Sequence, residues 1–487
     1  MAFKEDASFL RFVTMGARGA LRAKAALGAI GHRIVELERS SCSNKIWYTK
    51  IKRLRVPDLL CVRCGRRFEV RAKSSLEIKM SHSPTNADRH WDAAMRDDDV
   101  VVFILCRNDG KLEVAESINA FTVRDLRATQ DQARLGPPKS AAEGAERDLT
   151  WPSWTPGRSG IVTEIEGSRT AGDLRVTVQY DSGRRYTYPA GHKSAHVAAG
   201  EHFEASERIV ASIVPGVASL ECAGAVWNPD LSPALDDGDL YTSLKGLAGH
   251  DADDHADRLQ EVLSHDDPRI RLEAAGVLVR LNRAKGLEYL EVVACGTDDE
   301  APWAMEAVFI IAESGIADAG ACLARLAAGA PHPEVRAACV WGLRRFHAQQ
   351  AAVLDAFGDA DEVVRLHAVS AAAGQIQEAA DTGRLLELLN RAPNIAASAC
   401  EALVLSPGTD DDAVLALAVG GDPPASDWAF SILKRRPKET VMAARGWASL
   451  PAAIMESLRC AWFWREQSWL ASADVAESLR FLGQQQL

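Results

Sequence analysis

Residues 56–73 read VPDLLCVRCGRRFEVRAK and contain two short runs, 58–63 and 67–73, whose apolar and β-branched residues predict neighbouring strands. Asp58 opens the first run, and ten residues separate it from Glu69 in the second. Because side chains alternate along a strand, Glu69, Arg71 and Lys73 share one face. The stretch therefore predicts two carboxylates and two cations close to one another.

This set of charges suits one kind of chemistry. Hydrolysis of a phosphodiester needs a hard divalent ion held by carboxylates, and a cation that orients the water or stabilises the developing charge. Asp58 and Glu69 are the candidate carboxylates, and Arg71 or Lys73 is the candidate cation. The structural alternative is that Asp58 is a turn residue and that Glu69 and Arg71 are paired on a surface sheet.

The flanking sequence predicts a mixed α/β domain over residues 1–130. Helical spacing of apolar residues extends over 14–40, and β-rich runs follow at 45–55, 58–63, 67–73 and 76–80. A helix is predicted over 87–96 and a buried strand over 100–106. The order is helix, strand cluster, helix, strand.

This order, together with Asp58 and Glu69, resembles the PD-(D/E)xK nuclease superfamily, which has the restriction-endonuclease-like fold. The resemblance implies that Asp58 and Glu69 bind Mg²⁺ or Mn²⁺, with Glu36 or Glu38 of the leading helix as a third carboxylate. It also implies a metal-dependent phosphodiesterase, an endonuclease that acts on DNA.

One position departs from the family pattern. Lysine conventionally stands two residues after the glutamate, where this chain has Arg71, and the planar guanidinium differs from the compact ammonium of lysine. Lys73 lies on the same strand face, about 7 Å further along, and is the candidate substitute. The other reading is an inactive site, which leaves a non-catalytic DNA-binding scaffold.

Cys61 and Cys64 lie between the two carboxylates and have the two-residue spacing of a zinc knuckle. A structural Zn²⁺ site needs four ligands, and no second pair of this kind follows. Alternatively, the two thiols cap a β-hairpin without a metal. The single candidates for further ligands are Cys42, Cys106, His82 and His90.

Basic residues are concentrated near the N-terminus. Residues 1–90 hold 19 basic and 8 acidic residues, whereas the whole chain has a net charge of −11. Such a density is typical of a surface that binds phosphates, although a solvated basic face has the same composition. RNA stays open beside DNA as the bound nucleic acid. The predicted contacts are Lys45, Lys50, Lys52, Arg53, Arg55, Arg63, Arg66 and Arg67.

A second domain is predicted over residues 150–225, after a polar linker at 131–149 that is rich in Pro, Gly and Ala. Its short strands, with Asp181-Ser182-Gly183 as a hairpin turn, predict a small all-β barrel or sandwich. Residues 196–210 resemble barrel-sandwich hybrid domains, without the sequence context of a carrier lysine. An acidic linker is predicted over 226–254.

Residues 255–487 contain a repeat with a period near 30 residues. A unit of this size buries its apolar face only by stacking on its neighbours, so the pattern predicts an all-α solenoid. It resembles HEAT repeats, and its acidic composition favours a protein partner over DNA. The repeat carries arginines at Arg271, Arg336 and Arg365, and the predicted C-terminal cap contains Trp462, Phe463, Trp464 and Trp469.

The composition indicates a multidomain cytoplasmic protein that does not bind membranes. No apolar run reaches the roughly 18–20 residues that cross a bilayer, and no signal-peptide segment is present. Hydrolase elbows, phosphate-binding loops and dinucleotide fingerprints are absent from the sequence. A nuclease joined to a solenoid suggests, by analogy, an effector of bacterial antiviral defence.

Overall fold

The computed structural model of the chain describes residues 7–37, 47, 49, 54–108, 112–139, 146–222, 226–247, 250 and 252–466. The chain forms two compact units, residues 1–286 and 287–487. The strands are β1 (Ile34–Glu36), β2 (Leu59–Cys61), β3 (Arg67–Lys73), β4 (Ile78–His82), β5 (Val100–Asn108), β6 (Leu112–Val114), β7 (Asn119–Thr122), β8 (Arg134–Pro138), β9 (Arg147–Trp151), β10 (Ser153–Trp154), β11 (Gly160–Glu166), β12 (Leu174–Tyr180), β13 (Arg185–Gly191), β14 (Ser194–Ala195), β15 (His202–Phe203) and β16 (Ala211–Ser212).

The α-helices of the described residues are α1 (Ala7–Ala29), α2 (Val123–Arg127), α3 (Asp237–Gly246), α4 (Ala256–Val262), α5 (Pro268–Arg280), α6 (Ala284–Ala294), α7 (Ala301–Ser314), α8 (Ala317–Gly329), α9 (Pro333–Leu343), α10 (Gln350–Asp355), α11 (Glu362–Gln375), α12 (Ala379–Leu388), α13 (Pro393–Leu405), α14 (Asp411–Gly420), α15 (Ala425–Arg435), α16 (Lys438–Ala443) and α17 (Ala452–Glu466).

The central sheet has the strand order β1-β2-β3-β5-β6, with β7 also paired to β5. The β1–β2 and β2–β3 pairs are antiparallel, and β3 and β5 are parallel. Helix α1 packs on one face, where Ala23 and Leu27 are buried with Leu59 and Phe68. The predicted mixed α/β region is therefore present, and the stretch at 56–73 lies in its sheet.

The first helix is shorter than the spacing over 14–40 predicts. Helix α1 ends at Ala29, and Gly31 follows with φ of +94°, a left-handed conformation that favours glycine. Residues 34–36 then pair with β2 instead of continuing the helix. The helix prediction is wrong at residues 30–37 because local spacing does not show that β-branched residues have a strand partner elsewhere.

The connection from β3 to β5 contains β4, which belongs to a second sheet of order β4-β9-β8. The predicted helix over 87–96 is wrong: Ala87–Arg89 is one 3-10 turn, and Ala94 has a left-handed φ of +62° that an α-helix does not contain. The predicted linker at 131–149 is also wrong in part, because it supplies β8 and β9. Trp151 of β9 is fully buried against Trp91.

Residues 153–212 form the predicted small β region. One sheet has the order β13-β12-β11-β15 and another the order β10-β16-β14, and the hairpin predicted at 181–183 joins β12 to β13. This region lies in the same compact unit as the central sheet. The Asn119 side chain of β7 accepts a hydrogen bond from the Ile209 amide and donates one to the Glu207 carbonyl, so the two regions share polar contacts.

The chain is all-helical from residue 237 onward within the described residues, and contains fifteen α-helices, α3–α17. The predicted acidic linker at 226–254 includes α3, which begins at Asp236 as N-cap. In α17, Trp462 is buried and donates to the Leu433 carbonyl, whereas Phe463 and Trp464 are exposed. The fourth aromatic residue of the predicted cap, Trp469, lies outside the described residues. No helix in the described ranges has both the length and the apolar character to cross a bilayer.

Candidate functional site

Asp58 and Glu69 meet at the junction of β2 and β3. In this antiparallel pair Leu59 is the partner of Phe68, so the preceding Asp58 comes beside Glu69. The Val70 amide donates a hydrogen bond of 2.7 Å to Oδ2 of Asp58 and holds that carboxylate against β3. Both acids line one cavity of about 320 Å³. The structure thus brings together the two carboxylates that the sequence singles out.

Arg71 lies in the same cavity and is paired with Glu69. Its Nη2 is 2.6 Å from Oε1 of Glu69, which is only 8% exposed. The buried Nε of Arg71 has no hydrogen-bond partner within the described part of the chain. A buried donor without an acceptor costs roughly 1–3 kcal/mol. An anion that enters the cavity would supply that acceptor.

Lys73 is on the same face of β3 but is not among the residues that line this cavity. Burial lowers its pKa to about 8, with the positive charges of Arg71, Lys79 and Lys139 acting in the same direction and Asp148 opposing them. The Lys139 ammonium is 2.8 Å from Asp148. The cation beside Glu69 is therefore Arg71, and Lys73 belongs to a separate basic cluster.

Ser81, Arg89 and Glu146 also line the cavity, and they come from segments that no sequence pattern connected with Asp58. Ser81 belongs to β4, Arg89 follows it, and Glu146 precedes β9. The Arg89 guanidinium is 2.8 Å from the Glu146 carboxylate. Their only signal in the sequence is polarity beside short strands, because the pairing of β4 with β9 joins segments that lie far apart in the chain.

The third carboxylate of the cavity is Glu146, not the one expected from the leading helix. Glu36 stands at the end of β1, is exposed, and is absent from the residues that line the cavity. Its prediction as a metal ligand rested on a helix that ends seven residues earlier, at Ala29. Glu38 lies outside the described residues.

The predicted nucleic-acid contacts are placed differently from one another. Arg55 is exposed and lines the cavity, Arg63 is exposed, and Arg66 donates to the Ser219 carbonyl. Arg67 is 3% exposed and forms two hydrogen bonds with Asp99, of 2.8 and 2.6 Å. The prediction for Arg67 is therefore corrected, because its guanidinium neutralises a buried carboxylate instead of facing solvent. Lys45, Lys50, Lys52 and Arg53 lie outside the described residues.

A second group of polar side chains surrounds the Cys61-Val62-Arg63-Cys64 turn. The donor atoms of His32, Cys61, Cys64 and Cys222 all lie within 4.8 Å of one another. The sequence analysis found the two cysteines of the turn but named other residues as their partners. Of those, Cys106, His82 and His90 are not in this group, and Cys42 lies outside the described residues. The number of residues between His32 and the turn does not indicate a zinc site, and neither does the number between the turn and Cys222.

The two cysteines of the turn differ in acidity. For Cys61, burial opposes ionisation, but the neighbouring His32 side chain and the backbone amides of Cys64, Arg63 and Arg33 lower the pKa to about 7. For Cys64, burial raises the pKa to about 12, and the nearby Cys61 acts in the same direction. The thiol group of Cys61 is thus the more readily ionised of the two.

Comparison with known proteins gives no further guide to the chemistry of these two sites. The chain matches no protein-family model and no curated protein. Its function is inferred from the geometry and the charges of its own residues.

Proposed function

We propose that the protein is a Mg²⁺- or Mn²⁺-dependent nuclease that cleaves DNA in the cavity lined by Asp58, Glu69 and Arg71. The observation that carries this proposal is that two carboxylates and an arginine with an unsatisfied donor lie in one cavity. The element order that the PD-(D/E)xK resemblance implies supports it: a helix, a strand, Asp58, and Glu69 on the next strand.

The donor set fits a hard divalent ion. The carboxylates of Asp58, Glu69 and Glu146 and the hydroxyl of Ser81 all line the cavity, and Mg²⁺ prefers oxygen ligands of this kind. When bound, such an ion polarises a phosphoryl oxygen and lowers the pKa of its water. Asp58 and Glu69 would hold it, with the Val70 amide fixing the orientation of Asp58.

The positive side chains of the cavity would position the phosphodiester. Arg71 pairs through Nη2 with Glu69, and its buried Nε is available for a phosphate oxygen. Arg55 and Arg89 line the same cavity. Because arginine binds phosphate through two N–H groups in one plane, these residues would hold the scissile phosphate next to the carboxylates.

The first test is cleavage by the purified full-length protein. Supercoiled plasmid, linear duplex, single-stranded DNA and RNA are incubated with Mg²⁺, Mn²⁺ or EDTA. Asp58→Asn and Glu69→Gln should reduce metal-dependent cleavage by about 100-fold or more, since even the outer partners of metal ligands change activity by 10–100-fold. Glu77→Gln removes a carboxylate that does not line the cavity and that pairs with Lys79 at 3.1 Å, and this variant should cleave normally.

The alternative function is a non-catalytic DNA-binding scaffold, and the ion pair between Arg71 and Glu69 favours it. This pair already neutralises one of the two carboxylates without a metal. If the wild-type protein retards DNA on a gel but cuts nothing, the variant Arg71→Lys distinguishes an inactivated nuclease site from a scaffold. Activity gained in Arg71→Lys would show a nuclease site inactivated by arginine, and binding without cleavage in both proteins would support the scaffold.

In this proposal the helical C-terminal region is a HEAT-like solenoid that binds a protein partner, and the whole protein acts in bacterial antiviral defence. The chain as a whole has a net charge of −11 although its first 90 residues are strongly basic. The negative charge therefore resides in the later residues, which would repel DNA. A filter-binding assay with the Asp58→Asn protein tests whether the basic N-terminal region binds the DNA: binding should weaken when Arg55, which lines the cavity, is replaced by Glu.

A further inference from the structure

The geometry points to a structural zinc site formed by His32, Cys61, Cys64 and Cys222, separate from the Asp58–Glu69 cavity. Three segments bring these residues together: the loop after α1, the turn between β2 and β3, and the segment after β16. Three sulfur atoms and one imidazole nitrogen within 4.8 Å of one another are the donor set of a Cys₃His zinc site. This inference does not depend on the proposed nuclease activity.

The distances fit a tetrahedral ion. Ligand atoms about 2.0–2.3 Å from zinc are separated by roughly 3.4–3.8 Å at the tetrahedral angle. Sγ of Cys61 lies 3.9 Å from Sγ of Cys222, and Sγ of Cys64 lies 3.7 Å from Nδ1 of His32. A disulfide is a different geometry, because its sulfur atoms are about 2.05 Å apart. The four groups therefore surround a space of the size that one zinc ion needs.

The turn that carries Cys61 and Cys64 is closed by backbone hydrogen bonds. The Cys61 amide donates to the Arg66 carbonyl and the Gly65 amide to the Cys61 carbonyl, at 2.9 and 2.8 Å. Gly65 has φ of +74°, and a Cβ at this position would lie 2.7 Å from the Trp227 ring. Glycine is thus required here for its conformation and for its lack of a side chain.

His32 is oriented as a metal ligand. Its Nε2 is 2.9 Å from the Leu220 carbonyl, which accepts the ring proton and leaves the lone pair of Nδ1 directed toward Cys64. Histidine ligands of zinc usually donate their second nitrogen to such an acceptor. Leu220 stands two residues before Cys222, so one segment supplies a ligand and orients another. The ring also packs edge-on against Phe68, at 5.2 Å between centroids.

Four protein ligands leave no open coordination position, so the ion would be structural. It would join the turn between Asp58 and Glu69 to a segment more than 150 residues further along the chain. Two hydrogen bonds also hold the segment that precedes Cys222: Arg66 donates to the Ser219 carbonyl, and the Ala218 amide donates to the Ala120 carbonyl. Zinc at this place would hold the β2–β3 hairpin, and with it both carboxylates, in a fixed position.

The test is the metal content of the full-length protein purified without chelator. We expect one zinc ion per chain, and a loss of more than about tenfold in Cys222→Ser and His32→Ala, given that outer partners alone change metal affinity by 10–100-fold. Cys295→Ser, a replacement of an exposed cysteine in the second compact unit, should keep its zinc. Asp58→Asn should also keep it, which separates this site from the nuclease cavity.

Cobalt substitution of the wild-type protein gives a second readout that needs no variant to fold. Co²⁺ in the site should show the intense visible bands of tetrahedral coordination and a near-ultraviolet band from thiolate to metal. A folded wild-type protein that takes up neither zinc nor cobalt would overturn the proposal. Full zinc retention in Cys222→Ser would overturn it as well.

Discussion

The different environments of Arg71 and Lys73 show how burial decides what a single residue can do. Both stand on one face of β3, two residues apart. An ammonium loses its proton when it is buried among other cations, and the pKa of Lys73 is accordingly about 8. A guanidinium stays charged in the same surroundings. Arg71 is therefore the residue of the two that forms the ion pair with Glu69.

Lys73→Met should stabilise the first compact unit at pH 7 by about 1–3 kcal/mol, because a shift of one pKa unit corresponds to about 1.4 kcal/mol. Between pH 8 and about 10.4 the unfolded chain holds a proton at Lys73 that the folded chain has lost. The stability of the wild type therefore rises with pH in this window, relative to the variant. Urea unfolding of both proteins from pH 7 to 10 measures the difference, and parallel curves would contradict the prediction.

At the scale of elements, three helices of the all-helical region begin in the same way. The side chain of the N-cap residue accepts a hydrogen bond from the amide two residues later, and an arginine four residues after the cap donates to two carbonyls of the preceding turn. Both contacts satisfy backbone groups that the helix leaves unpaired. The cap and arginine pairs are Asp267 with Arg271, His332 with Arg336, and Asp361 with Arg365.

Arg336→Met should destabilise the second unit by about 2–4 kcal/mol, because two carbonyls and the Asp359 carboxylate lose the hydrogen bonds of the guanidinium. Arg336 also lowers the pKa of Asp359, so this contribution is present above about pH 4 and is lost as the pH falls further. Urea unfolding at pH 7 and pH 3 measures both effects. The control is Arg391→Met, on an exposed arginine, which should change stability by less than about 0.5 kcal/mol.

At the scale of the whole molecule, residues 1–286 and 287–487 are separate compact units. This division differs from the predicted borders after residues 130 and 225. The small β region belongs to the first unit because Ile209 and Val214 are buried in the same core as Phe103 and Phe121 of the central sheet. A domain border depends on which apolar faces cover each other, and composition does not show that.

We expect two thermal transitions in calorimetry of the full chain, since each unit has a core of its own. Cys222→Ser, which removes a proposed zinc ligand, should lower one midpoint, and Arg336→Met should lower the other. The double variant should lower each midpoint by as much as the corresponding single variant does, because substitutions without shared contacts are usually additive. A single transition that both variants shift equally would contradict the prediction.

Local patterns in the sequence predicted much of the fold. Alternation along 58–63 and 67–73 predicted β2 and β3, and the turn at 181–183 predicted the hairpin of β12 and β13. The spacing of Arg271, Arg336 and Arg365 indicated repeated helix starts. Asp58 and Glu69 were found because strand period and spacing are local properties. The prediction was wrong where a strand pairs with a segment further along or back in the chain, as residues 34–36 do with β2 and residues 147–151 with β4.

The sequence by itself determined the types of most elements, the concentration of basic residues near the N-terminus, and the pair of carboxylates on adjacent strands. Only the tertiary structure decided that Glu146 and not Glu36 joins them, that Arg67 is buried against Asp99, and that His32 and Cys222 complete the Cys61–Cys64 turn. The physical reason is that burial and ligand sets arise from contacts between segments far apart in the chain, and no local period in the sequence records them.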